Sequence, residues 1–81
     1  MNQTILLRRK TVEEATGKSR TTIYRDIQNG MFVKPVNIGG DRVAWPNTEV
    51  EAINKARIAG KSDEEIKKLV EELHKARISD Q

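Results

Sequence analysis

One short segment of the chain carries most of the side chains suited to contacting nucleic acid. It runs from Ser19 to Asn29 as SRTTIYRDIQN. At about 100° per residue, Ile23 and Ile27 fall on one side of a helix. The polar side chains lie on the opposite side or flank it, and they are Thr21, Thr22, Tyr24, Arg25 and Gln28. Hydroxyl, phenol, guanidinium and amide groups match base edges and phosphate oxygens. The segment predicts a helix that packs on one side and contacts DNA with the other.

A second predicted helix and a tight turn precede this segment. Thr11-x-x-Glu14 is a capping-box pattern that predicts where the first helix begins, and Gly17 predicts its end. Ser19 caps the second helix, which runs over about residues 19–29 and stops at Gly30. This arrangement predicts a helix-turn-helix, a motif in which the second helix enters the DNA major groove. An ordinary amphipathic surface helix is the alternative, but it more often carries Glu and Lys on its outer side.

The next segment predicts a β-hairpin. With Gly40-Asp41 as the turn, Ile38 pairs with Val43 and Val36 with Trp45, so that all four apolar side chains share one face. A lone two-stranded hairpin is marginal in water. That face must therefore pack on the helices, and Trp45 is the expected anchor.

The tip of this hairpin is a second candidate for DNA contact. Arg42 lies beside Gly39 and Gly40, whose backbone can approach a phosphate closely, and Lys34 at the base adds another cation. These features are typical of a wing. The alternative is a connecting hairpin whose charged tip only keeps it soluble.

Two further helices are predicted. The third begins at Pro46 or Asn47, runs to about Ala59 and turns Val50 and Ile53 inward. The fourth begins with a capping box at Ser62-x-x-Glu65. Its apolar stripe is Ile66, Leu69, Val70 and Leu73. The stripe packs either on the first and third helices or on a second copy of the chain. Residues 5 to 7 form either a strand or an extended arm.

Composition favours a binding module over an enzyme. Eighty-one residues allow one small domain with little room for a catalytic cleft. Residues 1–45 hold eight Lys and Arg against four Asp and Glu, a charge of +4, whereas the rest holds seven against eight, a charge of −1, so all of the net positive charge lies in residues 1–45. There is no cysteine and no apolar run near the roughly 20 residues that span a bilayer. We expect a soluble, cytoplasmic protein with no membrane partner.

Enzymatic patterns are absent from the sequence. His74 is the only histidine, and we expect it on the exposed part of the fourth helix among charged residues. Gly60-Lys61-Ser62 resembles the end of a Walker A loop, but Lys55 stands where that motif needs glycine. The sequence therefore predicts no enzyme, no cofactor, no metal site and no small-molecule substrate.

Several of these motifs occur together in one known family. In order, they are Thr16-Gly17-x-Ser19-Arg20-x-Thr22-Ile23-Tyr24-Arg25, Gly30-x-Phe32-x-Lys34-Pro35-Val36-x-Ile38-Gly39-Gly40, Arg42-Val43-x-Trp45 and Glu49-Val50. Over roughly residues 5 to 58 the chain resembles the AlpA family of phage and prophage regulators, relatives of MerR-type winged helices and phage excisionases. It departs at Arg9 and Lys18, where the family commonly has apolar residues. Lys18 lies in the turn, so either the turn packs less apolar surface or this lysine contacts the phosphate backbone.

The resemblance implies a mainly α fold with a small β-hairpin wing, a MerR/excisionase-like winged helix-turn-helix. Residues 1–59 would form the DNA-binding domain, with the wing over 36–45, and residues 60–81 a helix that packs on it or mediates self-association. The implied function is sequence-specific regulation of prophage or mobile-element transcription on double-stranded DNA in a bacterial, nucleoid-associated setting. The alternatives are an excisionase-like architectural factor, or a protein-interaction module that contacts an integrase or RNA polymerase through the C-terminal helix. The expected DNA contacts are Lys18, Ser19, Arg20, Thr21, Thr22, Tyr24, Arg25, Gln28, Lys34, Gly39, Gly40 and Arg42.

Overall fold

Four helices and a small antiparallel sheet make up the fold. The computed structural model describes residues 3–79. In chain order its elements are β1 (Leu6–Leu7), α1 (Arg9–Thr16), α2 (Arg20–Gln28), β2 (Val36–Gly39), β3 (Arg42–Pro46), α3 (Asn47–Ile58) and α4 (Asp63–Ser79). The strand order is β1-β3-β2, so β1 adds a third strand to the hairpin. Of the two alternatives for residues 5 to 7, the structure therefore has the strand. The predicted class, mainly α with a small hairpin wing, is confirmed.

The start of α1 differs from the prediction. The helix begins at Arg9 with Arg8 as an extended N-cap that makes no side-chain capping bond, so the predicted capping box at Thr11 is wrong. Leu7 pairs with Trp45, and a single residue separates this strand from the helix. Because the chain turns into a helix directly after the strand, Thr11 already lies within the first turn. Arg9 Nε, at 3.0 Å from Glu13 Oε2, supports that turn.

The turn and α2 follow the prediction closely. Gly17 has φ 72°, the left-handed conformation that ends α1. Ser19 caps α2 by accepting a hydrogen bond from the Thr22 backbone N–H. The helix ends at Gln28, and Gly30 adopts φ 77° just beyond it. Ile23 is buried and Ile27 is half-buried against the core, so the inward side of α2 is also confirmed.

The hairpin has the predicted turn but a different register. Gly39 lies opposite Arg42 across Gly40 and Asp41, as expected, whereas Val36 pairs with Ala44 rather than Trp45. An irregularity between Asn37 and Gly39 shifts the pairing by one residue. Asn37 causes it, because its side-chain Oδ1 accepts the Gly39 N–H at 2.8 Å and its Nδ2 donates to Gly40 O at 3.1 Å.

This shift changes which side chains of the hairpin are buried. Ile38 is 40% exposed, so the predicted single apolar face is wrong. Ala44 and Trp45 are both fully buried, and Trp45 is the expected anchor. The hairpin is therefore held to the domain mainly through β3, which has β1 on its other edge.

One core joins all four helices. Its buried members are Val12, Ile23, Phe32, Val33, Trp45, Val50, Ile53, Ile66 and Val70. Val50 and Ile53 come from α3, as predicted, while Ile66 and Val70 come from α4 and pack in the same cluster. The predicted capping box of α4 is confirmed, since Ser62 N–H donates to Glu65 Oε1 at 2.9 Å and Glu65 N–H to Ser62 Oγ at 3.2 Å. Among residues 3–79, no helix is long and apolar enough to cross a membrane.

Candidate nucleic-acid interface

The outer side of α2 is polar, exposed and free of carboxylates. Thr21, Arg25 and Gln28, which we call the reading face, are all exposed. The one acid of this helix, Asp26, is buried on the inward side at 7% exposure. Within residues 3–79, Arg25 has no acidic side chain within 4 Å. Its guanidinium is therefore available for an external acceptor.

Lys18 forms an ion pair with the largely buried side chain of Asp26. Its ammonium lies 2.5 Å from Asp26 Oδ2, and the two side chains are 31% and 10% exposed. A buried carboxylate needs such a partner, because removing it from water unpaired is costly. Of the two possibilities for Lys18, the structure favours the first: the turn packs less apolar surface and is stabilised by this ion pair. Arg9, the other departure from the family, is likewise paired with an acid, Glu13.

The N-terminus of α2 is arranged to receive an anion. Ser19 Oγ accepts the Thr22 N–H at 3.3 Å and donates to Thr22 Oγ1 at 3.1 Å, which fixes both side chains. Arg20 follows directly and is exposed. Free N–H groups and the positive end of the helix dipole favour negative charge here.

The wing tip is open on all sides. Gly39, Gly40 and Arg42 are exposed, and a Cβ added at either glycine would meet no atom within 4 Å. Gly40 has φ 57° and Gly39 φ 127°, conformations that L side chains rarely adopt. The glycines therefore serve the backbone path of the turn and leave it accessible to a large ligand.

Trp45 of the wing packs against Tyr24 of α2 and so connects the two elements. The Tyr24 ring meets the indole edge to face, with centroids 6.2 Å apart and an interplanar angle of 65°. The indole N–H donates to Val33 O at 3.0 Å, in the loop of residues 29–35 between α2 and β2. Tyr24 thus has a packing role that the sequence did not predict, while its exposed part remains next to the reading face.

The expectation that His74 lies on the exposed part of α4 is wrong. The ring is half-buried, and its Nε2 accepts the backbone N–H of Lys34 at 3.1 Å. One turn further on, Arg77 donates to Lys34 O at 2.7 Å and pairs with Glu49 at 2.6 Å. Burial, and next the neighbouring Arg77 guanidinium, lower the pKa of His74, so that the neutral ring is favoured.

Ten of the twelve predicted contact residues are exposed, and only Lys18 and Thr22 are half-buried. They occupy α2 with its N-terminal turn, the loop at Lys34 and the wing tip. Asp26 and Asn37, which help to position these groups, were not singled out from the sequence, and Trp45 was expected only as the anchor of the hairpin. Asp26 could have been found, because an acid three residues after Ile23 falls on the inward side and requires a cation.

Two other features bear on ligand binding: the placement of possible metal ligands and a cleft behind α2. Among residues 3–79, no cluster of three or more His, Asp or Glu side chains is placed to hold a metal ion. A cleft of about 370 Å³ lies behind α2, with Ile23, Phe32 and Ile53 in its lining and the Lys18–Asp26 pair at its wall. The reading face is not part of that lining.

Comparison with known proteins agrees with this architecture. The sequence profile of the family described as "Prophage CP4-57 regulatory protein (AlpA)" matches residues 5–58. An uncharacterized protein of Enterobacteria phage P4, ORF88, is 43% identical over 61 residues, which cover 75% of this chain and 69% of that relative. No solved structure matches the chain significantly. Because the family match covers more than half of the chain and includes α1, α2, the wing and α3, the protein belongs to the AlpA family of prophage regulatory proteins.

Proposed function

We propose that this protein is a sequence-specific DNA-binding regulator of a prophage or related mobile element. In this proposal α2 enters the major groove and the wing contacts the backbone or the minor groove beside it. The main support for this proposal is the difference between the two sides of α2. Its inward side is buried, whereas its outer side presents Thr21, Arg25 and Gln28 without a carboxylate. Membership of a regulatory family supports the same conclusion.

The dimensions of α2 suit this role. A helix with its side chains is about 10 to 12 Å across, which fits the roughly 12 Å width of the major groove, and the nine residues of α2 extend about 13 Å along its axis. The groups of the first turns, Arg20 and Thr21, would approach the duplex first, as in other helix-turn-helix proteins. Arg25, one turn along, can form the bidentate contact to guanine O6 and N7 that is the commonest specific contact in such complexes.

Phosphate contacts would set the register of the helix. Arg20, Lys34 and Arg42 are exposed cations without an acidic partner among residues 3–79. They come from three separate segments, so that together they hold the helix, the loop and the wing on the duplex. We give Lys18 and Ser19 supporting roles, because the first neutralises Asp26 and the second caps α2.

A salt titration tests the proposal. If three cations neutralise phosphates, the logarithm of the association constant falls with log salt at a slope of roughly −3. Arg42→Ala should reduce that slope by about 1 on any duplex, since it removes a sequence-independent contact. Arg25→Ala should cost about 1 to 3 kcal/mol on a duplex selected from a randomised pool and little on random duplex, since it removes a base contact.

Lys68→Ala is the matched control for loss of one positive charge. Lys68 lines a groove between α3 and α4 together with Glu65 and Glu72, away from the proposed contacts. Its removal should leave both slope and specific affinity unchanged. Flat salt dependence of the unaltered protein, or equal losses in the Arg25 and Lys68 variants, would contradict the proposal.

The regulatory outcome depends on where the sites lie. A module of this size has a small footprint, so useful specificity requires several copies on adjacent sites. Protection of promoter DNA in a footprint would support transcriptional regulation. Repeated protection at a recombination attachment site would instead support an excisionase-like role for the same contacts.

A further inference from the structure

Two side chains of α4 hydrogen-bond to the backbone of the loop between α2 and the wing. Both backbone polar groups of Lys34 are bound by this helix, the N–H by His74 Nε2 at 3.1 Å and the carbonyl by Arg77 Nη2 at 2.7 Å. The neighbouring Val33 carbonyl accepts from the Trp45 indole at 3.0 Å. Three consecutive hydrogen bonds thus fix the backbone at the point where the chain leaves α2 for β2.

Arg77 itself is fixed by a second element. Its Nε and Nη2 form a fork on the Glu49 carboxylate at 2.9 and 2.6 Å, and Glu49 is only 7% exposed in the first turn of α3. A guanidinium can span a carboxylate and a carbonyl at once, because its donors lie in one rigid plane. The hydrogen bond from Arg77 to the Lys34 carbonyl is therefore held in place by Glu49 of α3.

We propose that His74 and Arg77 are positioning residues for DNA binding: by holding the Lys34 backbone, α4 sets where the loop delivers the Lys34 side chain and the wing relative to α2. We call this pair the Lys34 clamp. The inference rests on the proposed function and extends it to a helix that lies beyond the family match, which stops at residue 58 whereas α4 begins at Asp63. It gives this last helix a role besides core packing.

The clamp depends on a neutral histidine. Nε2 accepts a hydrogen bond only while it carries no proton, and protonation would point an N–H at the Lys34 N–H. The charged groups that face the ring are Arg77 on its own helix, Lys34 on the loop and Glu49 on α3. Two cations and burial disfavour the imidazolium and lower the pKa of His74, against one carboxylate that favours it. At pH values above the ordinary pKa of histidine the ring is neutral and the clamp is complete. The clamp is lost as the pH falls through the lowered pKa of His74.

This dependence gives DNA affinity a pH profile of unusual sign. An added positive charge on a DNA-binding protein ordinarily strengthens binding. Here acidification should weaken it, because only molecules with a closed clamp present the wing correctly, and the apparent Kd rises as that fraction falls. The effect has an upper limit of about tenfold per pH unit once most of the ring is protonated.

The experiment compares the full chain with its His74→Gln variant between pH 7.5 and 5.0, using the selected duplex of the salt titration. The glutamine amide oxygen can accept the Lys34 N–H but does not titrate. We expect the Kd of the unaltered protein to rise relative to that of the variant as the His74 ring becomes protonated, by about twofold at the midpoint of that titration. The amide NMR shift of Lys34 should move with the same pH midpoint in the unaltered protein, and circular dichroism checks that both stay folded.

Arg77→Lys tests the other half of the clamp. Lysine keeps the charge but cannot bind Glu49 and the Lys34 carbonyl in one plane. We expect a Kd several-fold higher at pH 7.5 with an unchanged salt slope, since the number of phosphate contacts is the same. A Kd equal to that of the unaltered protein would overturn the positioning role of Arg77, because the fork on Glu49 and the Lys34 carbonyl would then be unimportant for DNA binding.

The outcomes separate this inference from the proposed function. If the unaltered protein binds no duplex at pH 7.5, both are overturned. If it binds with a steep salt slope but, over the pH range in which NMR shows the His74 ring titrating, has the same pH profile as His74→Gln or binds more tightly on acidification, the proposed function stands and the clamp is overturned.

Discussion

Replacing Ile66 with alanine should remove a large part of the folding free energy. Ile66 is fully buried in α4 and belongs to the core cluster that also holds Trp45 and Ile53. Truncating such a side chain costs about 2 to 5 kcal/mol, because transfer energy is lost and a cavity remains. A domain of 81 residues has a total stability of about 4 to 12 kcal/mol. The variant is therefore expected to melt at least about 8 °C lower, and to be partly unfolded if the starting stability is at the low end.

Urea unfolding followed by tryptophan fluorescence measures this directly. Trp45 is the only tryptophan and is fully buried, so its emission reports the core itself. Ile78→Ala is the matched control on the same helix, since Ile78 is 76% exposed, and its effect should stay within about 0.5 kcal/mol. Each protein is measured at two concentrations about twentyfold apart, because only an intermolecular contact makes the midpoint concentration-dependent.

Two results would refute the reasoning. Equal, small losses in the Ile66 and Ile78 variants would mean that α4 does not share the cooperative core of α1 to α3. A midpoint that rises with protein concentration would mean that the apolar stripe of α4 is completed by a second copy of the chain.

Three further predictions concern a helix cap, the glycine of the wing turn and the carboxylate of the α4 capping box. Ser19→Ala removes the cap of α2 and should cost about 1 kcal/mol in the free energy of unfolding, whereas no measurable loss in urea unfolding would mean that the cap is unimportant. Gly40→Ala should weaken DNA binding by disturbing the wing turn and should lower the melting temperature by about 4 to 8 °C, because φ 57° costs an L residue about 1 kcal/mol; a normal affinity would show that the tip makes no contact. Ser62 donors, first its backbone N–H and then its hydroxyl, lower the pKa of Glu65, so their stabilisation is present above the unfolded pKa and is lost as the pH falls through the lowered one. Glu65→Ala should flatten that acid limb of the stability profile, and an unaltered limb would contradict the assignment.

Local signals predicted the elements of this fold well wherever neighbours in sequence decide the structure. Ser19 and the Ser62 box cap helices through contacts within three residues, so their patterns were sufficient to place α2 and α4. The Thr11 pattern failed for the opposite reason. There, the pairing of Leu7 with Trp45, 38 positions apart, determined where the helix begins.

The details of the site depend on contacts that no local pattern encodes. A single side chain, Asn37, shifts the hairpin register by one residue and exposes Ile38, although the apolar alternation favoured a regular ladder. His74 and Arg77 meet Lys34 across 40 and 43 positions, and only the packing of α4 on the core brings them there. The exposed chemistry of α2 could be predicted from helical periodicity, but the residues that hold it in place could not.

Methylation interference on the selected duplex tests most directly whether α2 lies in the major groove. Dimethyl sulfate modifies guanine N7 in the major groove and adenine N3 in the minor groove, so the two grooves are distinguished in one experiment. We predict that methylation of at least one guanine N7 blocks binding, and that Arg25→Ala abolishes interference at that guanine alone. Interference confined to adenine N3, or an N7 pattern unchanged by Arg25→Ala, would contradict the placement of this helix.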